Sequence, residues 1–225
     1  MPSNPARPAP IIGLARIAVG ILTVAILIFT YVIGIPAGRT NVFDYFGYFT
    51  NLTSLLTSAV LVAAGLLTVR RRVAPEWLTL ARGIGTTCML LVAVIYNLIV
   101  PGTGSAPWWV SLILHAVFPL LVVLDWVLVR DRQPLPWRML WTVTVYPLVW
   151  IVVVLARGAT DGWVPYGFLL PSHGPLLLAA HVLGLLAALL ALGALVWLAS
   201  RLRLTRSSSG QGGDDRPVIT SGVIE

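Results

Sequence analysis

The sequence predicts an all-α fold: a six-helix transmembrane bundle with both termini cytoplasmic. Three observations carry this. First, the 225-residue chain is 58% hydrophobic and only 10% charged, where a soluble domain is roughly 25% charged. Second, its apolar residues fall into six runs, each near the ~20 residues needed to cross a bilayer core. Third, all 15 basic residues are Arg, and threading six helices puts 13 of them on one side, leaving only Arg39 and Arg157 on the other. Such a bias marks the cytoplasmic face, and removing one helix would scramble it. The net charge of +7 is therefore read as membrane topology rather than as a nucleic-acid surface.

Residues 1–10 are Pro-rich and polar and predict a disordered N-terminal tail. The first helix is predicted over 11–35. It is longer than a signal-peptide core and lacks a cleavage site, so it is read as retained. The second helix is predicted over 44–69, ending at Arg70-Arg71-Arg72, and the third over 78–100. A Pro/Gly turn at 101–107 leads to the fourth helix, 108–129. The fifth is predicted over 137–155. A connector containing Gly162-Trp163-Val-Pro-Tyr166 leads to the sixth, 175–200. Residues 201–225 are Arg-, Ser- and Gly-rich and predict a disordered cytoplasmic tail. Ala180, Gly184 and Ala188 place a small residue every four positions on helix six, which predicts close helix packing. Trp108, Trp109, Trp137, Trp163 and Trp197 fall near helix ends and are expected as interfacial anchors. The Arg-rich, GC-rich style of composition points to a bacterial plasma membrane. One cysteine, Cys88, permits neither an internal disulfide nor a cysteine-based metal site.

The chemistry concentrates at the start of helix two, in Tyr48-Phe49-Thr50-Asn51-Leu52-Thr53. At 1.5 Å rise per residue, Thr50 lies roughly 9 Å below the outer end of its helix, and His115 and His181 lie at about the same depth on helices four and six. Asn97 on helix three and Ser111, one turn above His115, share that level. Unpaired polar groups in lipid are unfavourable, so these residues are expected to face inward and meet. Pro119, four residues after His115, removes the N–H that the His115 carbonyl would accept, which predicts a kink. Thr53, Ser54 and Thr57 are expected to bond to their own helix carbonyls. Asp125 is expected to pair with Arg130 or Arg138. No hydrolase elbow, zinc-protease, phosphate-loop or dinucleotide motif is present, and no metal or cofactor is expected.

Three stretches together resemble the androgen-induced-gene / FAR-17a-like family, and most closely its bacterial branch, the Pr6Pr family membrane proteins. They are Tyr48-Phe49-Thr50-Asn51-Leu52-Thr53, Leu114-His115-Ala-Val-Phe-Pro119 and Gly162-Trp163-Val-Pro-Tyr166-Gly-Phe168-Leu. The animal members are multi-pass hydrolases of lipid esters, especially fatty acid esters of hydroxy fatty acids, with a threonine nucleophile and a histidine. The resemblance implies Thr50 as nucleophile and His115 as its base. The step from His115 to Pro119 is one residue shorter than in the animal proteins, and Ser111 stands where they often carry a second histidine. Asn51, Asn97, Ser111, Trp163, Tyr166 and His181 are the expected substrate-binding residues, with Asn51 or Asn97 at the oxyanion. Two other readings compete: a non-catalytic lipid- or small-molecule-binding protein, and a haem protein using His115 and His181 as axial ligands. The expected partners are membrane lipids and a lipid-like ester substrate.

Overall fold

The computed structural model describes residues 8–99, 102, 106–129 and 131–202. Most of both predicted tails, most of the 101–107 turn and Arg130 lie outside the described residues. Among the described residues the chain is helical, with no strand. Six helices are long and apolar enough to cross a membrane: Pro10–Ala37, Phe49–Val69, Glu76–Leu98, Trp108–Leu128, Trp137–Thr160 and Pro175–Ala199. They are called spans one to six, and together they make a multi-pass membrane protein. Span five begins as a 3-10 helix over Trp137–Thr144 before it becomes α-helical. It runs a turn further than its apolar stretch suggests.

The second apolar run is not one helix. A short helix, Val42–Gly47, ends at Tyr48, which is extended at φ −65° and ψ 128°, and a new helix starts at Phe49. Aromatic packing holds the break open. The Trp150 indole N–H donates to the Gly47 carbonyl at 2.8 Å. Trp163 lies so close to Gly47 that an added Cβ would meet its ring at 2.3 Å. The consequence is positional. Thr50 is the second residue of a helix rather than the seventh, and lies next to N–H groups that have no acceptor in the helix.

Spans one and two make the closest helix pair, and glycine permits it. A Cβ on Gly13 would sit 2.7 Å from the Gly65 carbonyl oxygen, and one on Gly65 would sit 2.6 Å from that of Gly13. Of the small residues predicted to pack on span six only Ala188 meets the core: a Cβ on Gly184 would meet nothing within 4 Å, and Ala180 is exposed. Small residues allow close approach but do not cause it, and here the neighbouring elements lie elsewhere. The 161–174 connector folds back onto the bundle. Its Leu169 is fully buried, and Phe168 lies against span six, its ring 6.0 Å from that of His181.

The expected anchors divide. Trp108 and Trp137 are exposed, as anchors should be. Trp197 is instead fully buried, with its indole N–H donating to the Pro136 carbonyl at 3.1 Å. Its place near a helix end hid its contact with Pro136, just before span five.

The end of the bundle carrying Arg70-Arg71-Arg72 and the 131–136 connection, the basic end, holds a buried ionic cluster. Arg16 of span one and Arg82 of span three each bridge Asp125 of span four and Asp131 of the connection beyond it. Arg16 also donates to the Thr68 hydroxyl at 3.0 Å. Asp125 therefore pairs with Arg16 and Arg82, not with the Arg130 or Arg138 expected from sequence proximity. Burial pushes the Asp131 carboxyl up, but the Arg82 and Arg16 guanidinium groups outweigh it and hold it below the ordinary carboxylate range.

Candidate functional site

At the opposite end a cavity of about 870 Å³ opens among all six spans and the 161–174 connector. Its volume falls in the range of small-molecule sites. Apolar side chains such as Leu91, Ile95, Leu114 and Leu189 form much of the wall. Thr50, Asn51, Ser111, His115, Trp163 and Tyr166 line it as well.

The Thr50 hydroxyl lies 3.3 Å from His115 Nε2. The other ring nitrogen, Nδ1, lies 2.9 Å from the Ser111 carbonyl oxygen. A carbonyl can only accept, so Nδ1 carries the proton. In the neutral ring that leaves Nε2 as the acceptor, facing Thr50. The Tyr96 ring stacks on the imidazole with centroids 3.5 Å apart and planes 13° apart. The ring is thus fixed on one face and at both nitrogens.

Span four does not simply kink at this histidine. It widens into one π-helical turn over Ile113–Val117, in which the Phe118 N–H bonds back five residues to the Ile113 carbonyl. Such turns are rare and concentrate at functional sites. Pro119 supplies no N–H to the carbonyl of His115. Asn97 does: its Nδ2 donates to the His115 carbonyl at 3.0 Å and to the Ala93 carbonyl at 2.8 Å. Both amide protons are spent on backbone, and Asn97 does not line the cavity. It is a backbone partner of span four and not the oxyanion donor its depth suggested.

Asn51 lines the cavity, and its Nδ2 donates to the Tyr45 carbonyl across the Tyr48 break at 2.8 Å. Tyr166 comes in from the connector. Burial pushes its hydroxyl up to about 12, while the Thr50 hydroxyl and the backbone N–H groups of Thr50 and Phe49 pull the other way. It is a neutral phenol near pH 7, beside Thr50. Those N–H groups were invisible in the sequence because helix two read as continuous; the only signal was Gly47-Tyr48 inside the run. His181 stands apart. It does not line the cavity, its ring faces Phe168, and its Nδ1 is buried without a partner.

The neighbouring hydroxyls behave differently from expectation. Thr53 pairs with the Tyr146 hydroxyl at 2.9 Å, not with its own helix. Ser54 Oγ is buried without a partner. At the mouth, Arg157 joins Asp44 and Asp161, each at 2.7 Å, and its guanidinium lies 4.3 Å over the Trp163 ring. Among the described residues no group of three or more metal-ligating side chains occurs.

The fold and site together define a polytopic helical membrane protein with a threonine–histidine pair in a largely apolar cavity. Comparison with family models, curated proteins and solved structures gave no match to this chain.

Proposed function

We propose that the protein is an intramembrane hydrolase of lipid esters, with Thr50 as nucleophile and His115 as general base. One observation carries the reading: the Thr50 hydroxyl faces the unprotonated nitrogen of a histidine whose other nitrogen is tied to a carbonyl. A threonine hydroxyl is a poor nucleophile until a base takes its proton, and this arrangement supplies one. The 3.3 Å separation is slightly longer than the ideal and within reach of proton transfer after a small shift.

In the proposed reaction Thr50 Oγ1 attacks the ester carbonyl carbon and its proton moves to His115 Nε2. The negative charge that develops on the carbonyl oxygen is met by the Tyr166 hydroxyl, whose oxygen is held by the Thr50 and Phe49 N–H groups that open span two. The carbon–oxygen bond to the alcohol then breaks, and the imidazolium returns its proton to the leaving oxygen. An acyl-threonine remains. Water, deprotonated by the same nitrogen, attacks that ester; the bond from the acyl carbon to Thr50 Oγ1 breaks, the imidazolium returns its proton to Oγ1, and the fatty acid is released.

The resemblance to the FAR-17a-like family supports the same pair of residues and a fatty acid ester as substrate. Arginine placement supports a cytoplasmic basic end and cytoplasmic termini, and composition supports a bacterial plasma membrane. The haem alternative is less favoured, because both ring nitrogens of His115 are engaged by other groups and His181 lies off the cavity.

The test is hydrolysis of a long-chain fluorogenic ester by the full chain in nanodiscs, together with labelling by a fluorophosphonate. Turnover and labelling are expected for the native chain and for neither Thr50→Ala nor His115→Ala. Full turnover by Thr50→Ala would refute the assignment. A native chain that retains the ester without cleaving it would instead identify a lipid-binding protein.

A further inference from the structure

We propose that Asn97 is a positioning residue that locks the wide turn of span four and thereby holds the imidazole of His115 in register with Thr50. The inference rests on the reading of that pair as the reactive centre. It starts from the backbone of span four. A π turn carries one residue more than the α-helix around it, and it persists only where something compensates. Closing it would rotate the chain before it against the chain after it by about 100°, the angle of one helical residue. That rotation would take His115 off Thr50.

The turn has a particular weakness. The Phe118 N–H is spent on Ile113, and the next residue is a proline with no N–H, so the residue four beyond His115 cannot satisfy its carbonyl. In a membrane interior no water compensates an unpaired carbonyl. Asn97 on span three fills this need with one amide proton, and anchors itself to its own helix through the Ala93 carbonyl with the other. The preceding residue, Tyr96, stacks on the imidazole of the same histidine. Two successive residues of span three therefore hold His115, one by its carbonyl and one by its ring. Asn97 does not reach the cavity, so it acts through His115 and not on substrate.

The experiment compares Asn97→Leu, Asn97→Asp and Asn97→Gln in the full chain. Leucine and aspartate remove the donor, and aspartate keeps the shape. Glutamine keeps the donor on a longer arm. Ester turnover and the 15N resonances of His115 are measured in each, with the resonances assigned by loss in His115→Ala. The Leu and Asp variants are expected to lower kcat on the order of 10²-fold with KM little changed, as for a misplaced catalytic group. The His115 spectrum should change from the single Nδ1–H tautomer to a mixture, and Gln should restore part of both. Native kcat in Asn97→Leu or Asn97→Asp would overturn the proposal. So would reduced kcat with an unchanged His115 spectrum, since that would make Asn97 merely stabilising. Turnover surviving in Thr50→Ala would refute the reading of the centre, whereas the His115 spectrum would still report whether Asn97 sets the ring.

Discussion

The two ends of the bundle each bury polar groups, and they treat them in opposite ways. At the basic end, Arg16, Arg82, Asp125 and Asp131 are knitted into four ion pairs that tie spans one, three and four together. At the other end, the Thr50 hydroxyl has a 3.3 Å contact to one ring nitrogen and borders open space. A buried cluster of opposite charges gives cohesion and engages both carboxylates. A lone hydroxyl beside a fixed base in a cavity gives little cohesion and a group that can react. The difference separates architecture from chemistry in a chain where both are made of the same rare polar residues.

Substitutions at the two ends should therefore have opposite signatures. The largest effect is expected at the cavity. Thr50→Ala and His115→Ala should each lower ester turnover by about 10²–10⁴-fold, with the thermal midpoint nearly unchanged, as read by turnover and melting in nanodiscs. If the midpoint fell sharply instead, the cavity end would also be architectural. The basic end should behave the other way. Arg82→Leu leaves Asp125 and Asp131 buried and short of a partner, and should destabilise the fold by about 3–5 kcal/mol. Turnover per folded molecule should stay close to native.

Acid should separate the ends again. The Asp131 carboxyl titrates below its unfolded value, so its contribution is complete above the ordinary aspartate range, near pH 4. It is lost as the pH falls through the lower folded value. Unfolding monitored against pH should therefore steepen below about pH 4, and Asp131→Asn should remove that limb. The turnover profile should be distinct and should fail in acid once His115 Nε2 is protonated.

A smaller effect is expected from Tyr96→Leu, which removes a ring stack worth about 0.5–1.5 kcal/mol and should lower kcat severalfold through a looser imidazole. The smallest should come from Arg157→Gln at the solvent-facing mouth. Exposed pairs contribute little and are screened by salt. Any change in turnover there should vanish at high ionic strength, and one that persisted would give the Arg157–Trp163 contact a role beyond charge.

Much of this arrangement is legible in the residues themselves. Hydropathy alone places six spans within a few residues of where they lie, because a bilayer sets a minimum apolar length. The same argument singles out Thr50, His115, Asn97, Ser111 and Asp125, since a polar residue at membrane depth must find a partner. The partners are another matter. Asp125 is five and thirteen residues from Arg130 and Arg138, yet it bonds Arg16 and Arg82, 109 and 43 residues away. Thr53 bonds Tyr146 across the bundle rather than its own turn. Asn97 bonds a carbonyl that a proline has left free, a need written in Pro119 but answered on another helix. The break at Tyr48 is hidden in an unbroken apolar run because its cause, the indoles of Trp150 and Trp163 against Gly47, comes from more than a hundred residues away.

The sequence by itself determined that the chain is helical, how many times it can cross a membrane and which polar residues need explaining. These follow from transfer free energies and periodicity, which are local properties. Only the tertiary structure decided which helices touch, that Thr50 meets His115 while His181 does not join them, and that span two starts one residue before its threonine. Helix order around a bundle depends on how whole surfaces pack, and helices apolar nearly all round leave no periodic stripe from which that order could be read.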